Sequence, residues 1–282
     1  MPTFELITTM AGVICYAAAL ALAAAAPLRR ANRVPPQAGL MLAGSLLIAL
    51  ALVVDAVRSG HFSLADRHQA LLFYVVAVTV VFFFTARRHD LRGLWLIVLP
   101  YVTVLAAFGT WGAFAHRPVQ PGIESPWLIL HVLTALLGYA LFTLASVYAA
   151  AFLVQDRSLR RKQFGQTFEA LPPLETLEAL MRRQVGLAFV VFTAAIALGV
   201  VLAHINGWGR AWLTDPKILA TALTWAVYAV LLYLRLGRLY CGRRAAVVTL
   251  AGLACLLFTF VGVPLLTDSM HDFAASGQGG NT

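Results

Sequence analysis

Long apolar runs separated by short polar turns divide this chain from end to end. Eight are present, at about 5–27, 37–57, 69–86, 94–114, 127–154, 186–205, 217–236 and 245–267. Each is close to or above the roughly 20 residues that a helix needs to cross about 30 Å of hydrocarbon. The pattern predicts an all-α, polytopic membrane protein with eight transmembrane helices. The turns leave no room for a separate soluble domain, so residues 1–275 read as a single integral-membrane helical domain. The first run lacks the basic n-region and clear cleavage site of a signal peptide, and reads as a helix.

Several helix starts are marked. Ser125-Pro126 supplies an N-cap and a proline at the first helical position before Trp127, and Asp215-Pro216 does the same before Lys217. Ser63 and Asp66 open the third helix. The one long internal loop, about 155–185, carries Pro172-Pro173 and then Leu174, Leu177, Leu180 and Met181 among Glu175, Glu178, Arg182 and Arg183. That spacing predicts a short amphipathic helix near 173–184, lying at the cytoplasmic membrane interface. The Gly- and Ser-rich end, 276–282, reads as a flexible tail.

Composition agrees. The chain is 61% hydrophobic and 12% charged, with mean hydropathy +0.82. Soluble domains carry about twice that charge. One set of turns holds sixteen of the 21 Lys and Arg residues: Arg29, Arg30, Arg33, Arg87, Arg88, Arg92, Arg157, Arg160, Arg161, Lys162, Arg182, Arg183, Arg235, Arg238, Arg243 and Arg244. The opposite set holds Arg58, Arg67, Arg117, Arg210 and Lys217. The positive-inside rule then puts both termini on the outer, periplasmic side. The net charge of +9 is split among juxtamembrane turns, which is a poor footprint for nucleic acid. Asp55 lies near the outer end of the second run, where it can pair with Arg58 or reach headgroups. No carboxylate sits mid-bilayer, where ion-driven pumps place them. Cys15, Cys241 and Cys255 form neither C-x-x-C nor C-x-x-C-H, which excludes a thioredoxin-like reductant and a c-type cytochrome. They read as small apolar fillers.

On this topology His61, His68, His116, His131, His204 and His271 face the outside, and only His89 the inside. His61, His68 and His116 read as wet loop residues. His131 and His271, at the ends of two different helices, can clamp an iron from both faces. Trp208 and Trp212 are four apart, so a helical or turn-like loop puts both rings on one side, with Trp111 and Trp127 level with them. Flat aromatic surfaces suit a porphyrin. Arg117, Arg210 and Lys217 can pair with its two propionates, and Lys217 lies where helix N–H groups favour anions. His204 can orient the loop or replace a ligand. Each piece also has a plainer explanation. Trp95, Trp111 and Trp127 suit interfacial anchors, Asp215-Pro216 suits a helix cap, and a single interfacial histidine suits a hydrogen-bonded polar group.

In order along the chain, several segments together resemble the cytochrome c assembly superfamily of haem-handling membrane proteins (CcsA, CcmC and CcmF). These are Ser59-Gly60-His61-Phe62-Ser63-Leu64, Trp127 to Val132 with Gly138-Tyr139-Ala140, Leu171 to Glu178, Trp208-Gly209 with Trp212 and Asp215-Pro216-Lys217, and Val261 to His271. The likeness covers about 55–275 and is closer to the small HemX/YpjD-like branch. It implies that His131 and His271 are axial haem ligands and that Trp208 and Trp212 hold the haem edge, with Asp215 in the same tryptophan-rich motif. Thr214 stands where the motif usually has its last tryptophan, and Ile218 where glutamate is common. The helix from Leu223 to Leu236 has no histidine, whereas CcsA has one there, which argues against haem translocation.

The resemblance implies a non-enzymatic assembly factor of the bacterial inner (plasma) membrane. It would hold non-covalent, b-type haem transiently at the periplasmic face for cytochrome c maturation proteins or an apocytochrome, and any ligation chemistry would need those partners. The alternative is a HemX-like regulatory or scaffolding membrane protein with a degenerate haem site, using the basic 155–185 loop as its contact surface. A small-molecule transporter has least support.

Overall fold

The computed structural model describes residues 3–25, 35–59, 67–112, 125–207, 209, 211–236 and 241–259. They form nine α-helices and no strand: α1 (Thr3–Ala25), α2 (Pro36–Ser59), α3 (Arg67–Ala86), α4 (Arg92–Gly112), α5 (Pro126–Arg160), α6 (Gln166–Ala170), α7 (Leu174–Ile205), α8 (Pro216–Leu236) and α9 (Gly242–Leu257). Seven of them, α1–α5, α7 and α8, are long and apolar enough to cross a membrane, so the chain is a multi-pass membrane protein. The eighth expected span is described only as far as Thr259. The expected tail, 276–282, lies outside the described residues.

The seven long helices and α9 pack as two closed rings of four. In the first, α1 touches α2 and α4, and α3 touches α2 and α4. In the second, α5 touches α7 and α9, and α8 touches the same two. The rings meet mainly where α3 lies along α5. A bilayer gives apolar helices no hydrophobic reason to associate, so close backbone approach and interhelical hydroxyl bonds carry the packing. In the first ring Tyr16 Oη lies 2.9 Å from Ser45 Oγ, which lies 2.7 Å from Thr79 Oγ1, tying α1, α2 and α3. At the joint, Tyr74 Oη lies 2.7 Å from both Tyr101 Oη and Thr143 Oγ1, tying α3, α4 and α5. Trp95 is in this core, edge-on to Phe82 at 4.9 Å and 3% exposed. It is therefore not the interfacial anchor its type suggested. Asp55 ties α2 to α3 by accepting from Gln69 Nε2, while Arg58 lies over the Phe4 ring of α1.

The surface helix expected near 173–184 is helical, but it is the start of α7 and runs into the sixth span without a break. The reason lies in its apolar stripe. Leu177, Leu180, Met181, Gln184 and Val185 are buried, and the stripe continues at helical spacing through Ala188, Phe192 and Ala195. Most of that stripe packs along α5, so its first turns face protein rather than headgroups. At 35 and 32 residues, α5 and α7 are about 50 Å long and project beyond the hydrocarbon at the end rich in arginine. There Gln155 Nε2 donates to Phe168 O, and the Gly242 N–H donates to Glu178 Oε1 at 2.9 Å, holding the start of α9 against α7.

Candidate haem-binding end

The alternation of spans brings the starts of α3, α5 and α8 and the end of α7 to one end of the molecule. The α5 start is built as its sequence predicts. Ser125 is the N-cap, its Oγ accepts from the Leu128 N–H at 3.2 Å, and Pro126 follows. His131 is in the second turn of α5, half-buried against α7. Its Nδ1 lies 2.8 Å from the carbonyl oxygen of Ala195. A carbonyl can only accept, so Nδ1 carries the proton. In a neutral ring Nε2 then keeps its lone pair, the form in which imidazole binds a metal. The ring lies against Gly199. A Cβ there would come within 2.9 Å of His131 Cε1 and 3.2 Å of Nδ1. Two turns deeper on α5, Gly138 meets the backbone of Phe192 at 3.4 Å on the same basis, which keeps the two helices close.

After α7 the chain turns through Gly207 and Gly209, both left-handed at φ +64° and +61°. A single 3-10 turn, Ala211–Thr214, follows and leads into α8. Trp212 is partly buried on this turn. Asp215 is buried, and its Oδ1 accepts from the N–H groups of Lys217 at 2.9 Å and Ile218 at 3.3 Å. The helix N-terminus expected to favour a propionate is thus already filled by this carboxylate. What Lys217 adds at this end is an ammonium group in the first turn of α8.

Of the residues singled out from the sequence, the structure joins Trp212, Asp215 and Lys217 through backbone and cap hydrogen bonds at the start of α8, and places His131 at the same end, near the start of α5. His271, Trp208, Arg210 and Arg117 lie outside the described residues, as do His61 and His116. His204 is exposed and lines an open apolar hollow of about 420 Å³ with Val200, Val201 and Ile205. It is five residues past Gly199, about 140° around the helix, so it faces away from His131. His68 is not a wet loop residue: it is buried in the first turn of α3 beside Gly112 of α4. Trp111 and Trp127 are 74% and 46% exposed, as interfacial anchors are. Ala195 and Gly199 escaped the sequence reading. Their only signal was a small-residue gap on the buried stripe of α7.

α9 completes the ring. Its Gly252 seats the Tyr228 ring of α8, which stacks on Phe142 of α5 with centroids 3.7 Å apart. Thr259, the last described residue, has its Oγ1 3.2 Å from Thr224 Oγ1 of α8. α9 therefore runs toward the end that holds His131, and His271 follows Thr259 by twelve positions in the chain.

The described residues thus form a multi-pass helical bundle that presents a carbonyl-bound imidazole and a tryptophan-bearing turn at one end. Comparison with known sequences agrees: residues 64–271 match the cytochrome C assembly protein family, and the chain belongs to it. It is 28% identical over 300 residues to "Cytochrome c biogenesis protein CcsA" of Synechococcus sp. (strain CC9605), covering 96% of this chain and 97% of that one. The protein of the same name from Synechococcus sp. (strain CC9902) is 29% identical over 259 residues, covering 83% and 85%. That of Chlamydomonas reinhardtii is 28% identical over 241 residues, covering 83% and 67%. These matches support the superfamily and lend no support to the HemX/YpjD-like branch.

Proposed function

We propose that this chain is a cytochrome c biogenesis factor that holds haem as cargo at the periplasmic face of a bacterial inner membrane. The observation that carries this is the His131 geometry: Nδ1 is committed to the Ala195 carbonyl, which leaves Nε2 for a metal. Carbonyl-anchored imidazoles of this kind are typical of metal-ligating histidines. His131 and His271 are the axial ligands of a non-covalent, b-type haem. Trp212 and Trp208 border the porphyrin, while Lys217, Arg210 and Arg117 meet its propionates. Asp215 acts indirectly, by capping α8 and so fixing the approach of the turn. Haem supplies the iron porphyrin that an apocytochrome receives, and thioether formation belongs to partner proteins. The CcsA relatives favour this reading over a regulatory scaffold.

The direct test is whether iron porphyrin co-purifies with the full chain after expression with ample haem. A pyridine haemochrome of b type, near one per chain, is expected. Colourless protein would overturn the assignment. Sidedness has its own test in Cys241, which is exposed at the arginine-rich end, whereas Cys15 and Cys255 are partly buried in spans. A membrane-impermeant maleimide should label Cys241 in inverted vesicles and not in intact cells. The reverse would put His131 on the cytoplasmic side.

A further inference from the structure

Resting on that reading, we propose that Gly199 is a positioning residue for His131: it is the gap in α7 that seats the imidazole on the Ala195 carbonyl. In an α-helix the carbonyl of residue 195 points at the N–H of residue 199, so the side chain at 199 flanks any second donor to that oxygen. A carbonyl has two lone pairs, and the Nδ1–H of His131 uses the one left by the helix. It reaches that lone pair only because nothing projects from position 199. A Cβ there would lie 2.9 Å from Cε1, 3.2 Å from Nδ1 and 3.7 Å from Nε2 of the ring. The ring can yield only by giving up its hydrogen bond to the Ala195 carbonyl, which holds it in place. Gly186, also on α7, has nothing within 4 Å of the same virtual atom, so its presence answers no such need. The consequence concerns the ligand's chemistry. Lifting the ring off the carbonyl releases both its orientation and its tautomer, and Nε2 is no longer the nitrogen reserved for iron.

The experiment compares wild type, Gly199→Ala, Gly186→Ala and His131→Ala as full chains in detergent, using haem as the ligand. Gly199→Ala should retain haem roughly 10- to 100-fold more weakly, the range seen when a ligand loses its orienting partner. Gly186→Ala should match wild type. A second readout needs no haem. In 15N-histidine spectra of haem-free protein, the His131 signal, identified by its loss in His131→Ala, should show a protonated Nδ1 in wild type and a tautomer mixture in Gly199→Ala. A merely structural glycine would leave that tautomer unchanged. If Gly199→Ala misfolds, adding His131→Ala should restore folding, because the clash is with that ring; a double variant that still misfolds overturns the proposal. Haem-bearing wild type with an unchanged Gly199→Ala, in both affinity and tautomer, overturns it too and leaves the haem reading standing. Haem-free wild type overturns the haem reading, and the positioning role with it.

Discussion

His131→Ala should cut holocytochrome c accumulation at least tenfold in a strain whose only copy of this protein carries the change. The expectation follows from what alanine removes. It deletes a ring nitrogen whose lone pair is kept available by the hydrogen bond of the other nitrogen to the Ala195 carbonyl. Loss of an orienting partner alone costs roughly 10- to 100-fold in metal affinity, and loss of the ligand should cost no less. The packing penalty is small, because the ring is only half-buried and its neighbour is a glycine. The variant should therefore reach the membrane at wild-type abundance. Haem-stained gels of membrane fractions, read beside an immunoblot of the protein itself, make the check. Normal cytochrome levels would remove His131 from the function. Low levels of both cytochrome and protein would mean the effect is on folding.

Gly252→Val should be the most damaging single change to the second ring of helices. A Cβ at 252 would meet the Tyr228 ring at 2.6–2.9 Å. Tyr228 cannot retreat, because its other face stacks on Phe142 at 3.7 Å and the residue is fully buried. Overpacking of this kind costs about 1–3 kcal/mol. The displaced helix would be α8, which carries Asp215 and Lys217 at its start, so haem retention should fall along with stability. Unfolding midpoints in a denaturing-detergent titration measure the first effect, and the haem-to-protein ratio measures the second. Tyr228→Ala should partly rescue Gly252→Val if the clash is the cause, because contacting residues are energetically coupled. Additive losses would place the damage elsewhere.

These two predictions differ in how far the sequence foresaw them. His131 was visible as an imidazole at a helix start on the side poor in arginine. Ser125-Pro126 and Asp215-Pro216 were visible because capping is local chemistry, and both act as caps. The spans were visible because a bilayer demands length and apolarity, which composition alone records. Contacts between distant parts of the chain were not visible. Gly252 under Tyr228, Gly199 under His131 and His68 beside Gly112 each join residues on different helices, and a glycine carries no mark of what will press against it. The start of α7 misled for a related reason. An apolar stripe on a short polar segment suits a membrane surface and a protein neighbour equally well, and only the register with α5 decides between them.

The central claim is that His131 and His271 bind the same iron, and low-temperature electron paramagnetic resonance of the ferric, haem-loaded protein tests it most directly. Wild type should give a low-spin bis-histidine signal, and His131→Ala and His271→Ala should each convert it to high spin. A wild-type low-spin signal that survives either substitution would contradict the account.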